Sequence, residues 1–142
     1  MVNPANLATL SASTNVLFDF NNFASPVDGA AVPANYGGCT WQTLVEGAAW
    51  AGNTTWNIYI TNGGVQGTVV FPRPVIVRSV RVGSVESNQF TLRSTGNTDV
   101  VGTTSGSQQT LTTGWTVAVT SLTLRSSTAD QFFDDIRLTV SQ

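Results

Sequence analysis

Lysine and histidine are absent from this chain, cysteine occurs once, and only two glutamates are present. Without histidine, the commonest general base near neutral pH is missing, and Cys39 has no base of the usual kind to activate it as a nucleophile. A lone cysteine also excludes an internal disulfide, so Cys39 reads as a small buried apolar residue. Charged side chains make up 10% of the chain, against roughly 25% in a typical soluble domain. Solvation therefore falls to hydroxyls, amides and exposed backbone. The formal charge is −2, and the six arginines (Arg73, Arg78, Arg81, Arg93, Arg125, Arg137) are scattered. Nothing offers the clustered cations that phosphate neutralisation requires, so no nucleic-acid partner is expected. No apolar run approaches the ~20 residues that cross a membrane, and the polar stretch after Met1 does not read as a signal peptide.

Threonine (21), valine (18), serine (13) and glycine (13) dominate instead. Val and Thr suit pleated, half-buried surfaces, and the usual formers of surface helices are scarce. The expectation is an all-β chain of about nine or ten short strands with frequent turn signals, an antiparallel β-sandwich or barrel. At 142 residues it is long enough for one substantial core. Residues 14–142 are assigned to a single β domain. Residues 1–13 are assigned to a tail or linker, or to a short turn with Asn3 as N-cap and Pro4 at the first helical position. Asn15–Phe20 alternates as a strand. Residues 21–38 form a long loop carrying Asp28, Asn35 and Tyr36, and loops of that length are usually functional or disordered. Asn62-Gly63-Gly64 reads as a hairpin turn into Val65–Phe71, and Pro72 and Pro74 are expected to end that strand. Val75–Gly83 is the most apolar run and reads as a central strand.

The closing segment D-Q-F-F-D-D-I-R-L-T-V, residues 130–140, carries the sharpest signal. By strict alternation, Phe132, Asp134, Ile136, Leu138 and Val140 face the core, and Phe133, Asp135, Arg137 and Thr139 face out. A carboxylate in an apolar register costs several kcal/mol unless it is paired, hydrogen-bonded or metal-bound. Asp134 therefore suggests a bound cation at the sandwich rim, or else backbone N–H donors or an arginine partner. A bulge would exchange Asp134 and Asp135.

The ordered runs V-I-V-R-S-V-R-V, N-Q-F-T-L-R-S, T-L-T-T-G-W, V-T-S-L-T-L-R-S-S and F-F-D-D-I-R-L-T-V resemble the jelly-roll, galactose-binding-like carbohydrate-binding modules. V-L-F-D-F and V-P-A-N-Y-G-G-C-T-W are similar to the opening of secreted domains with that closing motif. The resemblance implies a jelly-roll sandwich with its first and last strands side by side near a structural calcium. It implies Asp134 as calcium ligand, with Asp135 as the fallback and Asp19 as a weaker candidate. It also implies a non-catalytic domain that is extracellular or on the cell surface, tethered to a larger secreted protein.

Sugar rings present C–H faces to aromatic rings and hydroxyls to amides and carboxylates. Trp50 and Tyr36 lie in polar, Gly-rich surroundings, and Tyr59 falls on the outward face of its strand. These three are the expected contacts with a polysaccharide or oligosaccharide, with Asn35, Asn53 and Asn57 as polar partners. Trp41 and Trp56 fall on core registers, and Trp115 follows a turn glycine. The adjacent pair Asp134-Asp135 points to opposite faces, which argues against a glycosidase pair. A structural or adhesive sandwich of a surface or capsid assembly fits the same composition.

Overall fold

The computed structural model describes residues 1–50 and 52–142. Among them lie ten strands, three short 3-10 turns and no α-helix. The strands are β1 (Asn15–Phe18), β2 (Thr40–Gln42), β3 (Leu44–Gly47), β4 (Asn57–Ile60), β5 (Gln66–Ser84), β6 (Asn88–Arg93), β7 (Val100–Thr104), β8 (Ser107–Thr112), β9 (Val119–Ser126) and β10 (Phe132–Val140). Every strand pair is antiparallel.

The sandwich is folded about β5. Its first half pairs with β2 and β9, and β6 and β7 continue that layer. Its second half pairs with β10 and β8, and β4 and β3 continue beyond β10. The two proline positions do not end the strand, as the sequence suggested. Pro72 and Pro74 have no N–H to donate, and they fall where β5 passes from one layer to the other. There its pairing to β9 stops at Val70 and resumes at Val75. Between the layers lie Val69, Val75, Val77, Val80 and Val82 of β5 with Leu122 and Leu124 of β9 and Ile136 and Leu138 of β10, all buried. Phe90 of β6 meets Phe133 of β10 edge to face, with ring centroids 5.5 Å apart. The outcome is the expected antiparallel sandwich of jelly-roll type, with β1 and β10 side by side from Asn15↔Thr139 to Phe18↔Ile136.

The Asn62-Gly63-Gly64 hairpin is not formed. β4 pairs with β3 and β10 rather than with β5. Thr61–Gly63 is a 3-10 turn that carries the chain from one layer to the other. The side chain of Gln131 supports this crossing, because its Oε1 accepts from Ile60 N (3.0 Å) and its Nε2 donates to Gly64 O (3.3 Å).

Residues 1–13 are packed against the sandwich rather than trailing from it. The 3-10 turn Leu7–Thr9 is capped by Asn6, not Asn3, with Asn6 Oδ1 accepting from Ala8 N at 3.0 Å. Leu7 is fully buried in the core, Val2 bridges to Val16, and Arg73 donates to the carbonyls of Ala8 and Leu10. An apolar anchor and borrowed backbone partners hold a segment whose composition alone looks like a linker. Replacing Leu7 by alanine is expected to lower stability by about 2–4 kcal/mol, as for other buried Leu→Ala changes. Urea unfolding checks this, and a cost below ~0.5 kcal/mol would return the segment to the status of a tail.

Candidate functional site

The closing strand departs from simple alternation. Asp135 has φ +45, and the β10–β5 register shifts between Asp134 and Arg137. This is a β-bulge, which adds a residue and reverses which side chains face inward. After it, Ile136, Leu138 and Val140 face the core, and before it Phe133 does. Phe132 and Asp134, expected to face the core, lie on the opposite face of the sheet. Both are nevertheless fully buried, because the segment carrying Trp50, Asn53 and Thr55 covers them. The Trp50 ring stands edge to face on Phe132 at 6.4 Å. Gly83 lies opposite Phe132 in the ladder, and a Cβ there would come within 2.3 Å of that ring.

Asp134 is satisfied by protein donors. Its Oδ2 accepts from Arg81 Nη2 at 2.8 Å, Asn53 Nδ2 at 3.0 Å and Thr55 Oγ1 at 3.0 Å. Its Oδ1 accepts from the Asp135 backbone N–H at 2.8 Å. Arg81 also donates through Nε to Asp135 Oδ2 at 2.9 Å, through Nη1 and Nη2 to Asn53 Oδ1 at 3.2 Å each, and to Gln108 Oε1. Trp50 and Asn53 exchange backbone bonds of 3.0 and 2.9 Å. The Asp134–Arg81 pair thus holds Asn53, and Asn53 holds the turn that presents Trp50.

This donor set does not fit calcium at the closing strand. Calcium takes 6–8 oxygens, whereas the Asp134 oxygens already face four N–H and O–H donors and the cation beside them is a guanidinium. Asp19 does not join Asp134 and Asp135. It stands past the end of β1, where its Oδ1 accepts from Asn3 Nδ2 (2.7 Å) and Asn21 N (3.0 Å). Among the described residues, no three His, Cys, Asp or Glu side chains group to hold a metal.

Beside the Trp50 turn, on the outer face of β3 and β4, is a cavity of about 260 Å³. Asp28, Trp50, Asn57, Tyr59 and Gln131 line it, with Gly47, Ala48, Ala49 and Ala129 as the small residues between them. Asn57 and Tyr59 alternate on β4 with the buried Ile58 and Ile60, so the strand itself points them there. Gly47 leaves room for them, since a Cβ at that position would lie 2.1 Å from Asn57 Oδ1 and 3.0 Å from the Tyr59 ring. Asn57 Nδ2 donates to Ala48 O (3.1 Å) and Thr55 O (3.4 Å). Asp28 Oδ1 accepts from Ala48 N at 3.1 Å. Trp50 is 42% exposed, which is high for tryptophan. Burial and the nearby Asp28 raise the Tyr59 phenol above its ordinary pKa.

Three of the six expected contact residues, Trp50, Asn57 and Tyr59, therefore share one cavity. The other three lie elsewhere. Tyr36 is in an aromatic cluster with Phe18, Phe20, Phe23 and Trp41, its ring 4.9 Å from Phe23 and 5.7 Å from Trp41. Burial first, and then Asp19, raise its phenol well above the usual range. Asn35 is an exposed left-handed residue at φ 60. Asn53 is 5% exposed and belongs to the Asp134 network. Asp28 was legible only as a loop carboxylate, and Gln131 and Arg81 carried no separate signal. Cys39 is buried, which pushes its thiol up to about 12 and leaves it unreactive.

Among solved structures, the chain is similar to the C-terminal CBM6 of LamC, a marine laminarinase from Zobellia galactanivorans. The two are 12% identical with a TM-score of 0.41, over 89% of this chain and 99% of that one. No family model and no curated protein matches the chain.

Burial and the adjacent Asp135 raise Asp134 to about 6, against the downward pull of Asn53, the Asp135 N–H and Arg81. A carboxyl raised in the folded state binds its proton more tightly there than in the unfolded chain, whose value is near 3.8. Its contribution to stability therefore increases as pH falls from about 6 toward 3.8 and is constant above that window. Urea unfolding at pH 7 and pH 5 should show this slope, and Asp134→Asn should lack it; identical slopes would refute the assignment. Excess chelator should leave the melting temperature in place. A drop of several degrees that calcium restores and magnesium does not would show that the guanidinium is not the resident cation.

Proposed function

We propose that this protein is a non-catalytic carbohydrate-binding module that takes a polysaccharide or oligosaccharide into the cavity beside Trp50. The observation that supports it is the convergence of an exposed indole, a phenol, a carboxylate and a carboxamide on one preformed hollow. That is the inventory a sugar requires: an aromatic face for its C–H surface, and amides and a carboxylate for its hydroxyls. The hollow, at about 260 Å³, lies just below the roughly 300–1,000 Å³ of small-molecule sites. It therefore accommodates a short portion of a glycan rather than an extended chain.

Binding would proceed by stacking on Trp50 and hydrogen bonding to Asp28 and Tyr59, with Asn57, 1% exposed and bonded to Ala48 O and Thr55 O, shaping the wall, on a surface already held in place by Asp134 and Arg81. The contacts are few, and association carries an entropic cost, so affinity for one oligosaccharide would be micromolar or weaker. Calcium has no part in this reading, because the Asp134 oxygens are taken up by Arg81, Asn53, Thr55 and the Asp135 N–H. Such a module would be extracellular or on a cell surface, tethered to a larger secreted protein.

Trp50→Ala is expected to weaken binding to any polysaccharide ligand by at least tenfold. It should shift the melting temperature by only a few degrees, because the ring is half in solvent. Tyr36→Ala should do the reverse, lowering stability by several kcal/mol as large aromatic truncations in cores do, with little direct effect on affinity. Affinity electrophoresis and calorimetric melting of both variants separate these outcomes. Absence of binding to every polysaccharide tested, together with concentration-dependent self-association, would favour a structural or adhesive domain instead.

A further inference from the structure

Resting on that reading, we infer that the cavity selects its sugar by charge: it takes glycans bearing hydroxyls or a free amine and turns away carboxylated or sulfated ones. Among the described residues, Asp28 is the one charged residue lining the cavity. Its Oδ1 is held by the Ala48 amide, and its Oδ2 has no partner among the described residues. Behind it stands Glu46, 4% exposed, whose Oε1 accepts from Val27 N at 2.9 Å, one residue before Asp28. The wall is therefore anionic at Asp28, with Glu46 on the core side of the same strand edge.

No positive charge opposes this. The chain has no lysine or histidine, and none of the six arginines lines the cavity. Arg81, which reaches the Trp50 turn through Asn53, is paired with Asp134 and Asp135 at 2.8 and 2.9 Å. A uronate or sulfate entering the hollow would lose water and meet a carboxylate without a counter-ion, which is unfavourable in a partly enclosed site. A hydroxyl or an ammonium group would instead donate to Asp28 Oδ2. A charge-assisted bond is roughly twice as strong as a neutral one, and a partly exposed ion pair is worth up to about 1 kcal/mol. An amino sugar should therefore bind about three- to fivefold more tightly than its neutral counterpart.

The test is a glycan array carrying matched sets of the same backbones in neutral, N-deacetylated, uronate and sulfated forms, followed by titration calorimetry on the hits. The expected result is binding to neutral and amine-bearing members only, with the amine-to-neutral ratio collapsing to about one in Asp28→Asn. A uronate or sulfated glycan bound as tightly as its neutral match would overturn the inference while leaving the glycan-binding reading intact. So would an amine-to-neutral ratio unchanged in Asp28→Asn. Absence of binding to every member of every set would overturn both.

Discussion

One buried carboxylate and one guanidinium hold the outer face of this sandwich together. Asp134 and Arg81 are opposite one another on β10 and β5, and neither would be tolerated alone under the Trp50 turn. Removing one partner of such a pair leaves an uncompensated buried charge and typically costs 3–5 kcal/mol. Everything above the pair follows from it. Asn53 and Thr55 donate to Asp134, Trp50 is hydrogen-bonded to Asn53, and Phe132 packs between the Trp50 ring and the Arg81 guanidinium, whose carbon lies 5.8 Å from the Phe132 centroid. The polar network fixes a single geometry for a surface segment that has little apolar area of its own to bury.

The aromatic residues divide into two populations with different tasks. Phe18, Phe20, Phe23, Tyr36 and Trp41 form a cluster of stacked, tilted and edge-to-face rings, and Trp56 joins it against Phe23. Trp115 is 5% exposed and donates its indole N–H to Thr98 O. These rings supply hydrophobic burial, and the Tyr36 hydroxyl and the Trp41 and Trp115 indoles donate to Asn22 Oδ1, Tyr36 O and Thr98 O. Trp50 and Tyr59 face the cavity, and the difference comes from the strand that carries Tyr59 and the turn that carries Trp50.

Much of the fold was legible because valine and threonine alternation is a local property. The strand of Val75–Gly83 and the closing strand follow from it, whereas the neighbourhood of first and last strands was implied by the family resemblance and not by any local pattern. The outward direction of Asn57 and Tyr59 was legible for the same reason. What escaped the sequence was non-local. Parity counting could not place Asp134 because one bulged residue, Asp135 in a left-handed conformation, reverses the register. The residue that neutralises it is Arg81, more than fifty positions away. Tyr36 looked like a binding residue because its neighbours in sequence are glycines and asparagines, yet its neighbours in space are phenylalanines. Pro72 and Pro74 looked like stops because a proline cannot pair, but a strand that changes layers needs unpaired positions there.

The position of Arg73 sets where any attached chain would leave the domain. Its guanidinium donates to Ala8 O and Leu10 O of the opening segment and to Gln142 O, so the opening 3-10 turn and Gln142 meet at one corner. That corner adjoins Val140, at one end of β10, whereas the cavity adjoins Gln131 and Phe132 at the other. Eight residues of strand separate them, or ~26 Å at the usual rise of a β-strand. Anything joined at Gln142 would thus be held at the pole remote from Trp50, with the hollow turned away from the junction.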